Sequence, residues 1–226
     1  MGTMIQGYNL TEKDFRGNLE LLQMLNYQGN NDMLNLSRPD IIEDIHRRYL
    51  EVGADIISTN TFSAQRISQA DYHMESFSRD IAYAGAKLAR KCADEYSTAD
   101  KPRFVAGSIG PTNKTCSMSP DVSDPAKRDL TYDALFDAYS EQVAAMIEGG
   151  IDAVLIETIF DTLNAKVAID ASLSEMKKAG IDLPIMLSVT ITDLSGRTLS
   201  GQTLDAFLAS VSSYPIFSVG LNCSFG

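Results

Sequence analysis

The chain has 226 residues, 44% of them hydrophobic and 22% charged, which is enough apolar material for one large core. A formal net charge of −11 argues against a nucleic-acid partner, because phosphate binding needs clustered Lys and Arg. No apolar run approaches the roughly 18 residues of a membrane span, and no charged stretch followed by an apolar one opens the sequence, so no membrane association and a cytoplasmic location are expected.

No Pro-, Gly- or Ser-rich linker divides the sequence, so residues 1–226 are expected to form a single domain. In chain order, Ser37 and Pro39 signal a helix start, and Ile41, Ile42, Ile45, Tyr49 and Leu50 follow at helical spacing until Gly53. Residues 55–60 form a short β-branched run that predicts a buried strand. A helix over about 74–95 carries Phe77, Ile81, Leu88 and Cys92 on one face, and residues 103–108 read as the next strand. Leu135, Tyr139, Val143, Met146 and Ile147 make one stripe of a helix over about 131–148, which Gly149 and Gly150 stop. Strand 153–157, helix 161–178, strand 184–191, helix 203–212 and strand 217–222 complete the alternation.

Val-, Ile- and Leu-rich strands separated by helices imply a parallel α/β sheet with covered faces. Residues 53–57 and 150–154 resemble each other: each has a helix-stopping glycine, an acidic turn residue and a buried strand. Aligned this way, Asn60 falls opposite Glu157 and Thr61 opposite Thr158, as in equivalent βα units of a barrel. A doubly wound sheet reads similarly.

In parallel α/β folds the ligand lies beyond the carboxyl ends of the strands. Those ends hold Thr59 to Phe62, Gly107 to Thr112, Glu157 to Asp161, Thr190 to Thr192 with the turn-rich run to Gly201, and Gly220 to Cys223. Asn60 and Asn222 have two readings, ligand contact or hydrogen bonding to neighbouring backbone. The Gly107–Gly110 segment is a tight turn or an anion cradle, and Asp161 is placed to cap a helix. Glu157 is different, because a carboxylate after four apolar strand residues is costly to bury without a cationic partner. Cys223 is either a small buried hydrophobe or a ligand. Cys92 lies on the apolar stripe of a helix, Cys116 sits in a loop, and no CxxC or HxxxH pair is present. His46 and His73 lie away from every strand end, so Ser-His or Cys-His catalysis has little support.

Taken together, Met1-Gly2-Thr3-Met4-Ile5-Gln6, Gly29-Asn30-Asn31-Asp32, Thr59-Asn60-Thr61-Phe62, Gly110-Pro111-Thr112-Asn113, Glu157-Thr158, Phe160-Asp161-Thr162-Leu163-Asn164, Ser195-Gly196-Arg197-Thr198-Leu199-Ser200-Gly201-Gln202 and Gly220-Leu221-Asn222-Cys223 resemble the N-terminal homocysteine-binding domain of cobalamin-dependent methionine synthases. The resemblance spans essentially all 226 residues. It implies a (β/α)8 TIM-type barrel that methylates homocysteine. It further implies a zinc ion held by three cysteine thiolates, one after the sixth strand and an adjacent pair near the eighth. Zinc would lower the substrate thiol's pKa so that a thiolate attacks the methyl group. By position, Cys223 matches the first zinc ligand, and Glu157 matches the carboxylate that receives the homocysteine amino group. Gly2 and Thr3 match the end of an Asp-Gly-x-x-Gly-Thr motif near the amino-acid part of the substrate, Asn60 is a further substrate-binding candidate, and Asn222 supports Cys223. Methylcobalamin as donor and methyltetrahydrofolate as its source are implied on folate- and cobalamin-binding modules in cis.

The sequence departs from that pattern in two places. The first motif lacks its Asp, and no adjacent cysteine pair follows Cys223. The expectation is therefore an incomplete barrel, with the first strand and the last two βα units largely missing and with no activity alone. The rival expectations are a cobalamin-independent enzyme using betaine or S-methylmethionine, a non-catalytic amino-acid-binding barrel remnant, and an unrelated phosphate-binding barrel using the Gly107 turn.

Overall fold

The structure is a computed structural model that describes residues 1–19, 24–192 and 194–223. Two short helices, α1 (Gly2–Gln6) and α2 (Glu12–Arg16), open the chain, and Thr11 and Asp14 close a capping box on α2. A 3₁₀ turn, Asn31–Met33, leads into α3 (Leu34–Ser37) and then α4 (Pro39–Glu51), where Pro39 supplies the preset φ of a first helical turn. The alternating part follows: β1 (Ile56–Ser58), α5 (Arg66–Gln69), α6 (Ser78–Tyr96), β2 (Phe104–Ile109), α7 (Tyr132–Gly149), β3 (Ala153–Ile159), α8 (Thr162–Ala179), β4 (Ile185–Val189), α9 (Leu204–Val211) and β5 (Ile216–Leu221).

All five strand segments expected from the sequence are present, and every pairing is parallel in the order β1-β2-β3-β4-β5. That order differs from the one a doubly wound sheet takes. A doubly wound sheet reverses its strand order at a switch point, whereas here each strand pairs with the one before it. Helices α4, α6, α7 and α8 pack neighbour against neighbour, which places them along one side of the sheet. The sheet is open among the described residues, with β1 and β5 as its edges, so a closed barrel is not formed by them.

One core joins the elements. Ile42 and Ile45 of α4, Ile81 and Ala86 of α6, Leu135, Val143 and Met146 of α7, and Val167 and Ile169 of α8 are fully buried against Val105, Val154 and Val189 of the strands. At about 25 cal/mol per Å² of apolar surface removed from water, each such Ile, Leu or Val contributes on the order of 1.5–3 kcal/mol. Gly149 lets α6 and α7 approach closely: a Cβ there would stand 2.4 Å from the Ala86 Cβ. Toward β5 the burial fades, and Phe217 and Leu221 are exposed where an apolar strand was expected to be covered. As the last strand of an open sheet, β5 has a neighbour on one side only.

Two expected boundaries shift. The helix expected from residue 74 begins as a 3₁₀ turn, Glu75–Phe77, and becomes α-helical at Ser78. Strand β3 runs two residues beyond Glu157, because its register with β4 shifts between Ile156 and Ile159. Within that bulge Thr158 takes φ +58°, a conformation that costs a β-branched residue of order 1–3 kcal/mol.

Candidate functional site

A cleft of about 590 Å³ opens at the carboxyl ends of β1, β2 and β3. Its wall includes Ser58 at the end of β1 with Thr59 and Asn60 after it, Ser108 and Thr112 from the β2 end, and Glu157 on β3. Residues 29–32 line it as well, together with Met1, Gly2, Gln69 and Tyr72.

The strand ends that frame the cleft are tied together below its floor. Thr59 and Thr61 share a hydroxyl–hydroxyl hydrogen bond at 2.6 Å, the Ser108 N–H donates to Thr59 Oγ1 at 2.9 Å, and Thr61 Oγ1 donates to the Ser108 carbonyl at 2.7 Å. Gln142 of α7 donates its amide to the Thr61 carbonyl at 2.6 Å. All of these groups are buried, so each bond also meets the requirement that an interior polar atom be satisfied. The loop ends of β1 and β2 are thereby fixed to each other and to a helix, which suits a site that must hold its shape.

Glu157 projects from the bulge of β3 and is half-buried. Ser108 Oγ donates to Glu157 Oε1 at 2.6 Å, and among the described residues no Lys, Arg or His makes an ion pair with this carboxylate. The bulge is secured from the far edge of the sheet. Asn222, just past β5, accepts from the Thr158 N–H at 3.2 Å and from Ser188 Oγ at 2.8 Å, and donates to Thr158 Oγ1 at 2.7 Å. Its amide nitrogen also reaches Cys223 Sγ at 3.4 Å. Bulges beside binding sites re-aim a side chain, and here one side-chain amide satisfies the bulge backbone and contacts the neighbouring thiol.

The remaining sequence candidates fall as follows. Asn60 borders the cleft, but its amide donates to the Asn31 carbonyl at 2.8 Å and to Asn35 Oδ1 at 3.1 Å, so it clamps the 29–32 wall onto the β1 end. Gly2 lines the cleft, whereas Thr3, one residue further along α1, lies in a separate recess with Met4, Gly7, Tyr8 and Arg48. Cys223 is exposed and takes φ +50° at the β5 end. Cys92 and Cys116 are buried, and burial pushes both thiols up, Cys92 to about 11, so neither offers a ready thiolate. Asp161 caps α8 as expected, accepting from Leu163 N at 2.8 Å and Asn164 N at 3.2 Å. Among the described residues no group of three or more His, Cys, Asp or Glu could hold a metal ion. Cys223 is the exposed cysteine at a strand end among the described residues, and a tetrahedral zinc centre needs more protein ligands than this one thiol.

The Gly107–Gly110 turn is not an anion cradle. A Cβ on Gly107 would meet Ile151 Cδ1 at 2.8 Å, and one on Gly110 would meet the Phe62 carbonyl oxygen at 2.5 Å. Both glycines serve close packing inside the protein, so the phosphate-binding alternative loses its basis.

One residue of the cleft escaped the candidate list. Asp32 is only 4% exposed, and Ser63 N–H donates to its Oδ2 at 2.7 Å. Burial, and after it the neighbouring Glu157 charge, push its carboxyl up to about 7 against the hydrogen bonds from Ser63 and Phe62. In the sequence Asp32 lies in a polar run without helical or strand periodicity. The signal that could have found it is the packing of three polar side chains, Asn30 to Asp32, directly before the apolar run of Met33 and Leu34.

The model of the homocysteine S-methyltransferase family matches residues 1–225. Among solved structures, the homocysteine methyltransferase MmuM from Escherichia coli is similar in its metallated form at 19% identity and a TM-score of 0.73, covering 99% of this chain and 72% of that one. The oxidized form gives 20% and 0.73 with 99% and 71% coverage, and the apo form 21% and 0.65 with 99% and 69%. At these identities the likeness is one of fold.

Proposed function

The chain belongs to the homocysteine S-methyltransferase family, and from that membership we propose that residues 1–226 act in the cytoplasm as the homocysteine-binding domain of a cobalamin-dependent methionine synthase. The single observation that carries the substrate assignment is Glu157. It is a half-buried carboxylate lining the cleft, with Ser108 as its hydrogen-bond donor and no cationic partner among the described residues. The α-ammonium group of homocysteine supplies the missing charge.

In this assignment Gly2 brings backbone close to the amino-acid part of the substrate, and Thr3 contributes only through its place beside Gly2. Asn60 holds the 29–32 wall in position, and Asn222 keeps the β3 bulge, and hence Glu157, aimed into the cleft. The substrate thiol lies toward the β5 end, where Cys223 is proposed as one zinc ligand. In this reading methylcobalamin on another module would supply the methyl group that turns homocysteine into methionine, and methyltetrahydrofolate would replenish it.

Calorimetric titration with homocysteine tests the assignment. The unsubstituted chain should bind it, and E157Q should bind about tenfold more weakly or worse, the loss expected when a charge-assisted hydrogen bond is removed. Equal affinity of the two proteins refutes the assignment. A second reading, in which the donor is betaine or S-methylmethionine, is compatible with the same family membership. Methyl transfer to homocysteine measured with each of the three donors separates these readings.

A further inference from the structure

Asp32 and Glu157 line the same cleft, one on the 3₁₀ turn before α3 and the other on the β3 bulge, and Asp32 feels the Glu157 charge. Asp32 is held rigidly by the peptide N–H groups of Ser63 and Phe62. Those bonds orient a carboxyl group but do not neutralise it. Glu157 raises the cost of a charge at Asp32, and the other ionisable groups bordering the cleft do not supply a side-chain cation. They are Asp71, engaged by the Asn113 amide at 2.8 and 3.0 Å, the phenol of Tyr72, which burial and then the Asp71 and Asp32 charges push up, and the amino group of Met1.

A purely structural role at this position needs only an oxygen that accepts from the Ser63 and Phe62 N–H groups. An asparagine oxygen, with two lone pairs, would do so without the desolvation cost of a buried charge. A carboxylate becomes favourable here when a cation enters the cleft.

We infer that Asp32 is a second substrate-binding carboxylate, sharing with Glu157 the α-ammonium group of the amino-acid substrate. The inference rests on the homocysteine assignment above and extends it, because no sequence motif gives Asp32 a ligand. Two carboxylates in one cleft select an amino acid over the same thiol lacking its amino group. In the empty cleft near neutral pH the Asp32 carboxyl is partly protonated. Arrival of the ammonium favours its charged form, and the carboxyl proton passes to solvent.

Calorimetry on the full chain with two probes, homocysteine and 4-mercaptobutanoate, tests this. In D32N, homocysteine binding should weaken about tenfold or more while binding of the desamino probe stays within about twofold. Equal weakening of both probes, or of neither, overturns the inference. A second measurement needs no variant. Near pH 7, titrations in two buffers of different ionisation enthalpy should show more proton release for homocysteine than for the desamino probe, and equal release overturns the inference. A chain that binds no homocysteine overturns the functional assignment and the inference with it. Binding that E157Q weakens and D32N leaves intact overturns the inference alone.

Discussion

Replacing Asn222 with alanine tests the claim that one side chain at the β5 end holds the β3 bulge. The amide makes three hydrogen bonds to Thr158 and Ser188, at 3.2, 2.7 and 2.8 Å, and a fourth, weaker contact to Cys223 Sγ. At about 1 kcal/mol net for each of the three, the gross loss is about 3 kcal/mol. Asn222 and its partners are only partly buried, so water replaces some of what is lost, and about 2 kcal/mol is expected. For a chain of this size that corresponds to a fall in Tm of roughly 4–8 °C. N222D keeps the acceptor oxygen for the Thr158 N–H and the Ser188 hydroxyl but cannot donate to Thr158 Oγ1, so it should lose roughly half as much. Thermal denaturation followed by circular dichroism measures both, and homocysteine titration should show weaker binding in N222A, because Glu157 is no longer aimed. A Tm within about 1 °C of the unsubstituted chain, with unchanged affinity, would refute the reasoning: the bulge would then be held by the strand backbone alone.

Other expectations follow from packing and titration. G149A places a methyl group 2.4 Å from the Ala86 Cβ at the α6–α7 contact; overpacking of this kind costs about 1–3 kcal/mol, readable as a lower urea midpoint with unchanged slope. His46 is buried on α4 with its Nε2 unpartnered, and burial lowers its pKa from 6.5 to about 4. The unfolded chain therefore binds a proton at His46 below about pH 6.5 that the folded chain refuses, so this group's stability contribution is lost as pH falls from 6.5 toward 4. At pH 5 the loss relative to pH 7 is about 2 kcal/mol. H46L should show that much less acid destabilisation, and an identical pH profile for both proteins would contradict the burial argument. Asp32 slopes the other way, since its raised carboxyl favours folding below about pH 4 and loses that contribution as pH rises through 7. The comparison is accordingly between variant and unsubstituted chain at each pH.

Much of the sheet was legible because its strands obey a local rule. Residues 153–157 read as a buried strand since every neighbour is apolar, and Glu157 stood out by breaking that run. The reach of β3 to Ile159 was not legible, because a bulge depends on pairing with β4 and on an amide 64 residues away in Asn222. Cys223 was placed at a strand end by its sequence, but its exposure follows from β5 being the last strand of an open sheet. Residues 1–33 gave no element: α1 and α2 are each five residues long, too short for a periodic signal. Asp32 was missed for the same reason, since its burial arises from the loop 62–63 folding over it rather than from any local pattern. Asn60 was legible as a strand-end polar residue, and the structure decides between its two readings by showing its amide committed to Asn31 and Asn35.

The unbroken strand order has a consequence for how the protein comes into being. Because every strand pairs with the one synthesised just before it, a growing polypeptide never has to wait for a distant partner to complete a hydrogen-bonded ladder. Each βα unit can dock on a finished neighbour as it leaves the ribosome, so assembly runs in the direction of translation. The leading edge at any moment is a single fresh strand with bare N–H and C=O groups. For β5 that exposed front carries Phe217, Val219 and Leu221, which makes it the segment on which a chaperone would be expected to act.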